Sequence, residues 1–131
     1  MKISKEVKNL NVPWEKEYGY SQAVKVGDTI YLSGQISHDE TGEIIGINDV
    51  EAQIRQAYVN IKKLLAEYGA GVENIVDETW FVTDMESVDA AGGKLRREIF
   101  SGNQAVALTV VQIQRLAFPE LLIEIKCIAR V

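Results

Sequence analysis

The residue best suited to chemistry in this 131-residue chain is a carboxylate near the C-terminus, Glu124. It lies in an apolar segment that predicts a β-strand, in which alternate side chains share a face. Ile123, Ile125 and Cys127 share one face of that strand, and Glu124 and Lys126 share the other. If another subunit covers the polar face, burial raises the pKa of Glu124 and suits it to proton transfer or water activation. The alternative is a solvated strand carboxylate.

The other reactive side chains form no catalytic set that the sequence reveals. Ser33 has no visible His–Asp partner, and the only histidine, His38, lies in a polar turn where we expect a solvated side chain. Cys127 lies on an apolar strand face, where we expect a buried, unreactive thiol. One cysteine and one histidine cannot close a metal site, so we expect neither metal nor cofactor.

Two short polar segments, Tyr20–Gln22 and Ser33–Gln35, flank a predicted hairpin over Ala23–Leu32. The hairpin turns at Gly27-Asp28, where glycine permits the backbone angles of a tight turn. The two segments carry many hydrogen-bonding groups for so apolar a neighbourhood. They are therefore candidates for a binding site, although their side chains could instead satisfy nearby backbone groups.

Two helices are predicted from apolar residues that recur at steps of three and four. The first covers residues 49–68, with Asp49 as its N-cap and Gly69 just after its end. The second covers Val88–Phe100 and is weaker, because each of its two interior glycines costs about 1 kcal/mol relative to alanine.

Further strands are predicted over Ile75–Val82, Ala105–Ile113 and Leu121–Val131, together with a short strand near the N-terminus. The order is β-β-β-α-β-α-β-β, which predicts an α+β fold with two helices on one face of a mixed sheet. The strand at 105–113 is apolar on both faces. A sheet of this kind is buried on both faces, so we expect a second subunit to cover the face without helices.

Length and composition indicate a single domain over residues 1–131. The chain is 47% hydrophobic and 25% charged, as is usual for a globular protein. It has no signal peptide and no apolar run long enough to span a membrane, so the cytoplasm is the simplest location. A net charge of −5 without a basic run argues against nucleic-acid binding.

The hairpin region resembles the start of the YjgF/RidA family, through Gly19–Ala23, Val26–Asp28 and Tyr31–Ile36. The resemblance continues through Gln53–Leu65, Val76–Asp84 and Ile123–Ala129, and so covers nearly the whole chain. It implies a chorismate-mutase-like α+β fold. It also implies a homotrimer whose sheets line a barrel-like core, with three small-molecule clefts between neighbouring subunits.

The resemblance also implies a chemistry, since RidA members are enamine/imine deaminases that hydrolyse 2-iminoacids. In that family a glutamate handles the attacking water, a tyrosine and a serine line the cleft, and backbone at a glycine helps to hold the substrate. These positions correspond here to Glu124, Tyr20, Ser33 and Gly34.

The family arginine that clamps the substrate carboxylate is missing. Counting back from Arg115-Leu116, which matches the family's Arg-Leu pair, places that position at Leu108. The chain therefore resembles an arginine-lacking subgroup of the YjgH type, and we expect a neutral or less polar ligand and weak 2-iminoacid activity. Lys126, Arg130 or a neighbouring subunit could supply a replacement cation.

Three functions remain open from the sequence. The first is hydrolysis of a small imine or enamine with Glu124 and a bound water. The second is a non-catalytic trimer that binds a metabolite or regulates a partner protein. The third, the endoribonuclease or translation-inhibitor activity of some family members, is disfavoured by the acidic charge.

Overall fold

This computed structural model describes all of residues 1–131, which form six strands and three α-helices. The elements are β1 Glu6–Lys8, α1 Pro13–Tyr18, β2 Ala23–Val26, β3 Thr29–Leu32, α2 Val50–Ala66, β4 Ile75–Val82, α3 Met85–Ile99, β5 Ala107–Gln112 and β6 Ile123–Arg130. They form one mixed sheet with strand order β1-β2-β3-β6-β4-β5. Only the β4–β5 pair is parallel. None of the helices is both long and apolar enough to cross a membrane.

The predicted hairpin is confirmed, with Ala23 paired to Leu32 and Val26 to Thr29. Its turn needs Gly27, whose φ of +59° disfavours any residue with a Cβ. The C-terminal strand β6 lies between β3 and β4 and is antiparallel to both. It is therefore the centre of the sheet.

Helices α2 and α3 cover one face of the sheet, as predicted, and bury the main core there. Asp49 caps α2 by accepting a hydrogen bond from the Ala52 amide at 3.1 Å. Helix α3 begins at Met85, earlier than predicted, because Asp84 caps it. Gly92 is needed inside α3, since a Cβ there would approach the Trp80 ring to 3.0 Å.

The predicted element order omitted the short helix α1. Pro13 is its first residue, because the proline ring fixes a helical φ and proline has no backbone N–H to leave without a partner. Gly19 ends the helix at a φ of +70°. The buried Glu15 carboxylate accepts hydrogen bonds from the amides of Leu10 and Asn11. This helix places aromatic side chains beside the site described below.

A buried carboxylate, Glu78 of β4, organises the centre of the core and was not foreseen from the sequence. It accepts hydrogen bonds from the Tyr58 hydroxyl at 2.8 and 2.9 Å and from Arg96 Nε at 3.2 Å. Cys127 Sγ lies 3.5 Å away. Burial, and next the charge of Glu78, raise the pKa of this thiol, and the expected burial of Cys127 is confirmed.

The face of the sheet away from α2 and α3 remains partly open within one chain. Tyr31 of β3 is 46% exposed, and its neighbour across the strands is Ile128. On the edge strand β5, Val111 is also exposed beside Phe81. This apolar surface agrees with the expectation that something covers it.

We expect Glu78→Ala to lower the free energy of unfolding by about 3 kcal/mol, because it leaves the largely buried Arg96 guanidinium without its counter-ion. Urea unfolding measures this change. Glu51→Ala, which removes an exposed ion pair with Arg55, is the control and should change stability by less than about 1 kcal/mol. Equal effects of the two variants would contradict this account of the core.

Candidate functional site

Glu124 occupies the face of β6 opposite the main core, as the alternation predicts. Gln35 pairs with Ile125 through two backbone hydrogen bonds of 2.7 and 2.9 Å, which places Gly34 against Glu124. A Cβ at Gly34 would overlap the Glu124 carboxyl group. The glycine therefore lets the carboxylate lie flat against the backbone.

The Glu124 cavity, as we call the space in front of this carboxylate, has a volume of about 330 Å³, within the range of small-molecule sites. No lysine or arginine lines it. Its walls include the aromatic side chains of Trp14, Tyr20 and Phe118, together with Gly34, His38 and Glu124.

Burial raises the pKa of Glu124 above its ordinary value, and the nearby charge of Lys126 only partly opposes this. The pKa of Tyr20 is raised as well, first by burial and next by the charge of Glu15, with a smaller contribution from Glu124. Both groups thus favour their neutral forms more than they would in water. A carboxylate of this kind can exchange protons closer to neutral pH.

The expectation of a solvated His38 is wrong, because the side chain is only 2% exposed and lines the Glu124 cavity. Its ring lies edge-on to Trp14, with centroids 5.1 Å apart. Trp14 in turn packs against Phe118 at 5.3 Å. These two partners lie far from the polar turn in sequence, so the local composition could not reveal the burial.

Helix α2 holds the loop that carries His38. The side-chain amides of Gln56 and Asn60 both donate to the His38 carbonyl, at 2.9 and 3.0 Å. Asn60 also donates to the Ile36 carbonyl at 3.0 Å. The cavity wall is therefore fixed to a long helix rather than left as a free turn.

The two polar segments beside the hairpin have different roles. Tyr20 lines the Glu124 cavity, as does Gln22, whose Oε1 accepts a hydrogen bond from Gln35 Nε2 at 2.9 Å. Ser33 does not line it, and its hydroxyl donates to the Ser21 carbonyl at 2.8 Å. The Ser33 hydroxyl therefore satisfies a nearby backbone carbonyl group and does not face the cavity.

Leu108 lies apart from the other predicted site residues. It pairs with Glu78 across β4 and β5, and so lies on the helix-covered face, whereas Glu124 lies on the opposite face. A separate cavity of about 480 Å³, which we call the Leu108 cavity, occupies that side, and its lining includes Leu108, Arg96 and Arg97. Within one chain, Leu108 and Glu124 do not form one site.

Neither of the cations suggested by the sequence lines the Glu124 cavity. Arg130 forms an ion pair with Asp28 at 2.8 Å on the exposed end of the sheet. Lys126 Nζ donates to the Leu32 carbonyl at 3.3 Å. A ligand carboxylate in this cavity would therefore face Glu124 with no lysine or arginine of the same chain in the cavity wall.

Comparison with known proteins agrees with this fold. The family model described as Endoribonuclease L-PSP matches residues 13–131. A RutC family protein of Pyrococcus abyssi is 38% identical over 111 residues, 84% of each chain. The RutC family protein YjgH of Escherichia coli is 35% identical over 115 residues, 88% of this chain and 85% of that protein.

A solved structure supports the same relationship. The YjgF gene product of Escherichia coli superimposes with a TM-score of 0.82 at 32% identity, over 97% of this chain and 98% of that one. The predicted fold is thereby confirmed.

We expect Glu124→Gln to stabilise the protein at neutral pH. The pKa of Glu124 is higher in the folded state than in the unfolded state, so its protonated form favours folding. Stability therefore falls as the pH rises from the pKa of the unfolded state through the pKa of the folded state. Glutamine does not ionise and escapes this loss. Thermal unfolding should thus give a higher Tm for the variant than for the wild-type protein at pH 7. Well below pH 4, where the wild-type carboxyl group is protonated, the two Tm values should be equal. A lower Tm at pH 7 would contradict the raised pKa.

Proposed function

Because this chain belongs to the YjgF/RidA family, we propose that it hydrolyses a small imine or enamine that lacks a carboxylate. One observation carries the proposal: a carboxylate of raised pKa, Glu124, lies in a small cavity with aromatic walls and no cation. The family resemblance implies the reaction class, and the cavity indicates which substrates within that class fit.

The chemistry needs one positioned water and one group that can exchange a proton. Glu124 accepts a proton from the water as its oxygen bonds to the imine carbon. The same proton then passes to the nitrogen, which gives a carbinolamine. Glu124 next transfers the hydroxyl proton to the nitrogen, the C–N bond breaks as the C=O bond forms, and the products are a carbonyl compound and ammonia. Gly34 supports this step because it allows the carboxyl group to lie close to the backbone.

The substrate should be neutral or cationic at the reacting end. Transfer of a ligand carboxylate from water into a cavity that already contains Glu124, without a cation, is strongly unfavourable. Family members that use an arginine offset this cost through a bidentate contact. Leucine at position 108 provides no such contact.

The complete cleft requires neighbouring subunits of a homotrimer. Leu108 lies on an exposed edge strand and is 41% exposed, so it is available to a neighbouring copy. The Leu108 cavity of one subunit would then adjoin the Glu124 cavity of the next, which brings together residues that lie on opposite faces in one chain. Arg96 of the Leu108 cavity is already paired with Glu78, so Arg97 is the one cation that this arrangement would add to the cleft, and the Arg97→Gln variant described below tests whether it binds the ligand.

The trimer is testable through the open face of the sheet. Val111→Lys places a charge beside Phe81 on that face, and we expect it to shift the protein from three times the mass of one chain toward a single chain. Light scattering after size-exclusion chromatography measures the mass. Val59→Lys, at an exposed position of α2, is the matched control. A monomeric wild-type protein would contradict the proposed cleft.

We expect the purified protein to hydrolyse the imine of benzylamine, generated in situ by a flavin-dependent amine oxidase, faster than buffer alone. Hydrolysis of 2-iminobutanoate, generated by an amino-acid oxidase, should be slower relative to its own buffer rate. Glu124→Gln should lower the enzymatic rate at least about 100-fold, since it removes the proton acceptor. Glu120→Gln, at an exposed position outside the cavity, should retain activity.

A non-catalytic binding role is the second candidate, and the leucine at position 108 favours it. Saturable binding of uncharged ligands without turnover of either imine would support that role and overturn hydrolysis. RNA cleavage receives no support from the site, because the chain has a net charge of −5 and no cation lines the Glu124 cavity.

A further inference from the structure

We propose that His38 contacts the ligand in the Glu124 cavity, with Nε2 accepting a hydrogen bond from an N–H group of a neutral or cationic nitrogen compound. This inference rests on the proposed function, since it concerns the same cavity. It adds a ligand-binding residue that the family motifs do not assign and narrows the class of ligand.

The hydrogen bonding of His38 defines which ring nitrogen is available. Nδ1 lies 2.8 Å from the carbonyl oxygen of Asp39. A carbonyl oxygen can only accept, so Nδ1 carries the proton and Nε2 of the neutral ring presents a lone pair. Nε2 forms no hydrogen bond within the chain and is not sealed inside it. The residue is 2% exposed and lines the Glu124 cavity, so a ligand in that cavity is the partner that we assign to Nε2.

The position of the ring is fixed before a ligand binds. Gln56 and Asn60 hold the backbone carbonyl of His38, and Trp14 packs against its ring. A fixed acceptor gives more affinity than a mobile one, since less side-chain freedom is lost on binding. The arrangement has the rigidity that a binding group requires.

Two acceptors of this cavity, Glu124 and His38 Nε2, together select for a ligand with hydrogen-bond donors. The aromatic walls formed by Trp14 and Phe118 favour a planar group and tolerate a positive charge. A primary imine, its protonated form or an amidinium ion meets these conditions. A carboxylate offers only acceptors and would repel Glu124.

Three compounds of nearly equal shape, which differ only in their planar head groups, separate these ligand classes: isobutyramidinium, isobutyramide and isobutyrate. We expect their affinity for the wild-type protein to fall in that order, as measured by NMR titration. Tightest binding of isobutyrate would overturn the proposal. Arg97 lines the Leu108 cavity and forms no ion pair in its own chain. If isobutyrate bound most tightly and this binding were lost in Arg97→Gln, the ligand would be an anion that Arg97 binds from the Leu108 cavity.

Two substitutions separate a ligand contact from a structural role. His38→Asn keeps a donor near the position of Nδ1 and loses Nε2, whereas His38→Gln keeps an acceptor near the position of Nε2. A ligand contact predicts that the asparagine variant binds isobutyramide about tenfold more weakly, while the glutamine variant stays within about threefold of wild type. A purely structural role predicts the reverse order, and equal binding by both variants and wild type would also overturn the proposal.

A measurement on the wild-type protein remains decisive if either variant fails to fold. Nitrogen-15 NMR of the His38 ring should show a protonated Nδ1 in the free protein, and a shift at Nε2 alone when isobutyramide is added. An unchanged Nε2 signal at saturating ligand would refute the contact. Failure of the proposed hydrolysis is distinct: no imine would be turned over, yet ligand binding would still depend on His38.

Discussion

The strict alternation of side chains along β6 is the constraint on which both the core and the site depend. This strand bonds to β3 on one side and β4 on the other, so it cannot shift without breaking two ladders. Ile123, Ile125 and Cys127 are fully buried on one face, and Glu124 lies on the other. A shift of one residue would bury the carboxylate in the core and expose the isoleucines. The hydrophobic core thus fixes where the Glu124 carboxyl group lies.

Two carboxylates on or beside that strand, Glu78 and Glu124, are shielded from water, and they differ in how their charge is compensated. Glu78 is compensated by hydrogen bonds from Tyr58 and Arg96, and it stabilises the packing of both long helices on the sheet. Glu124 has no such partners, and burial raises its pKa. An uncompensated carboxylate costs stability and is worth retaining only where its protonation has a use. This contrast is the physical reason for placing function at Glu124 and structure at Glu78.

Periodicity within the sequence was enough to predict the hairpin, both long helices and the alternation of β6. It missed α1, since a six-residue helix that starts at Pro13 is too short to show a repeating pattern. It also missed the burial of His38, whose neighbours Trp14 and Phe118 come from distant parts of the chain. Local sequence reports how a segment folds, whereas these features arise from which segments meet. The separation of Leu108 from Glu124 likewise depends on which strands pair. The position of a residue in the sequence does not show that pairing.

The fold partly buries Glu124 at the edge of a cavity, where its carboxyl group gains proton affinity. Carbon-13 NMR of the Glu124 side-chain carboxyl group tests this directly, by following its chemical shift as pH is varied in the ligand-free protein. We expect a titration midpoint above the ordinary value of 4.5 for glutamate. A midpoint at or below that value would show that Glu124 is an ordinary solvated carboxylate, and would contradict the assignment of the site.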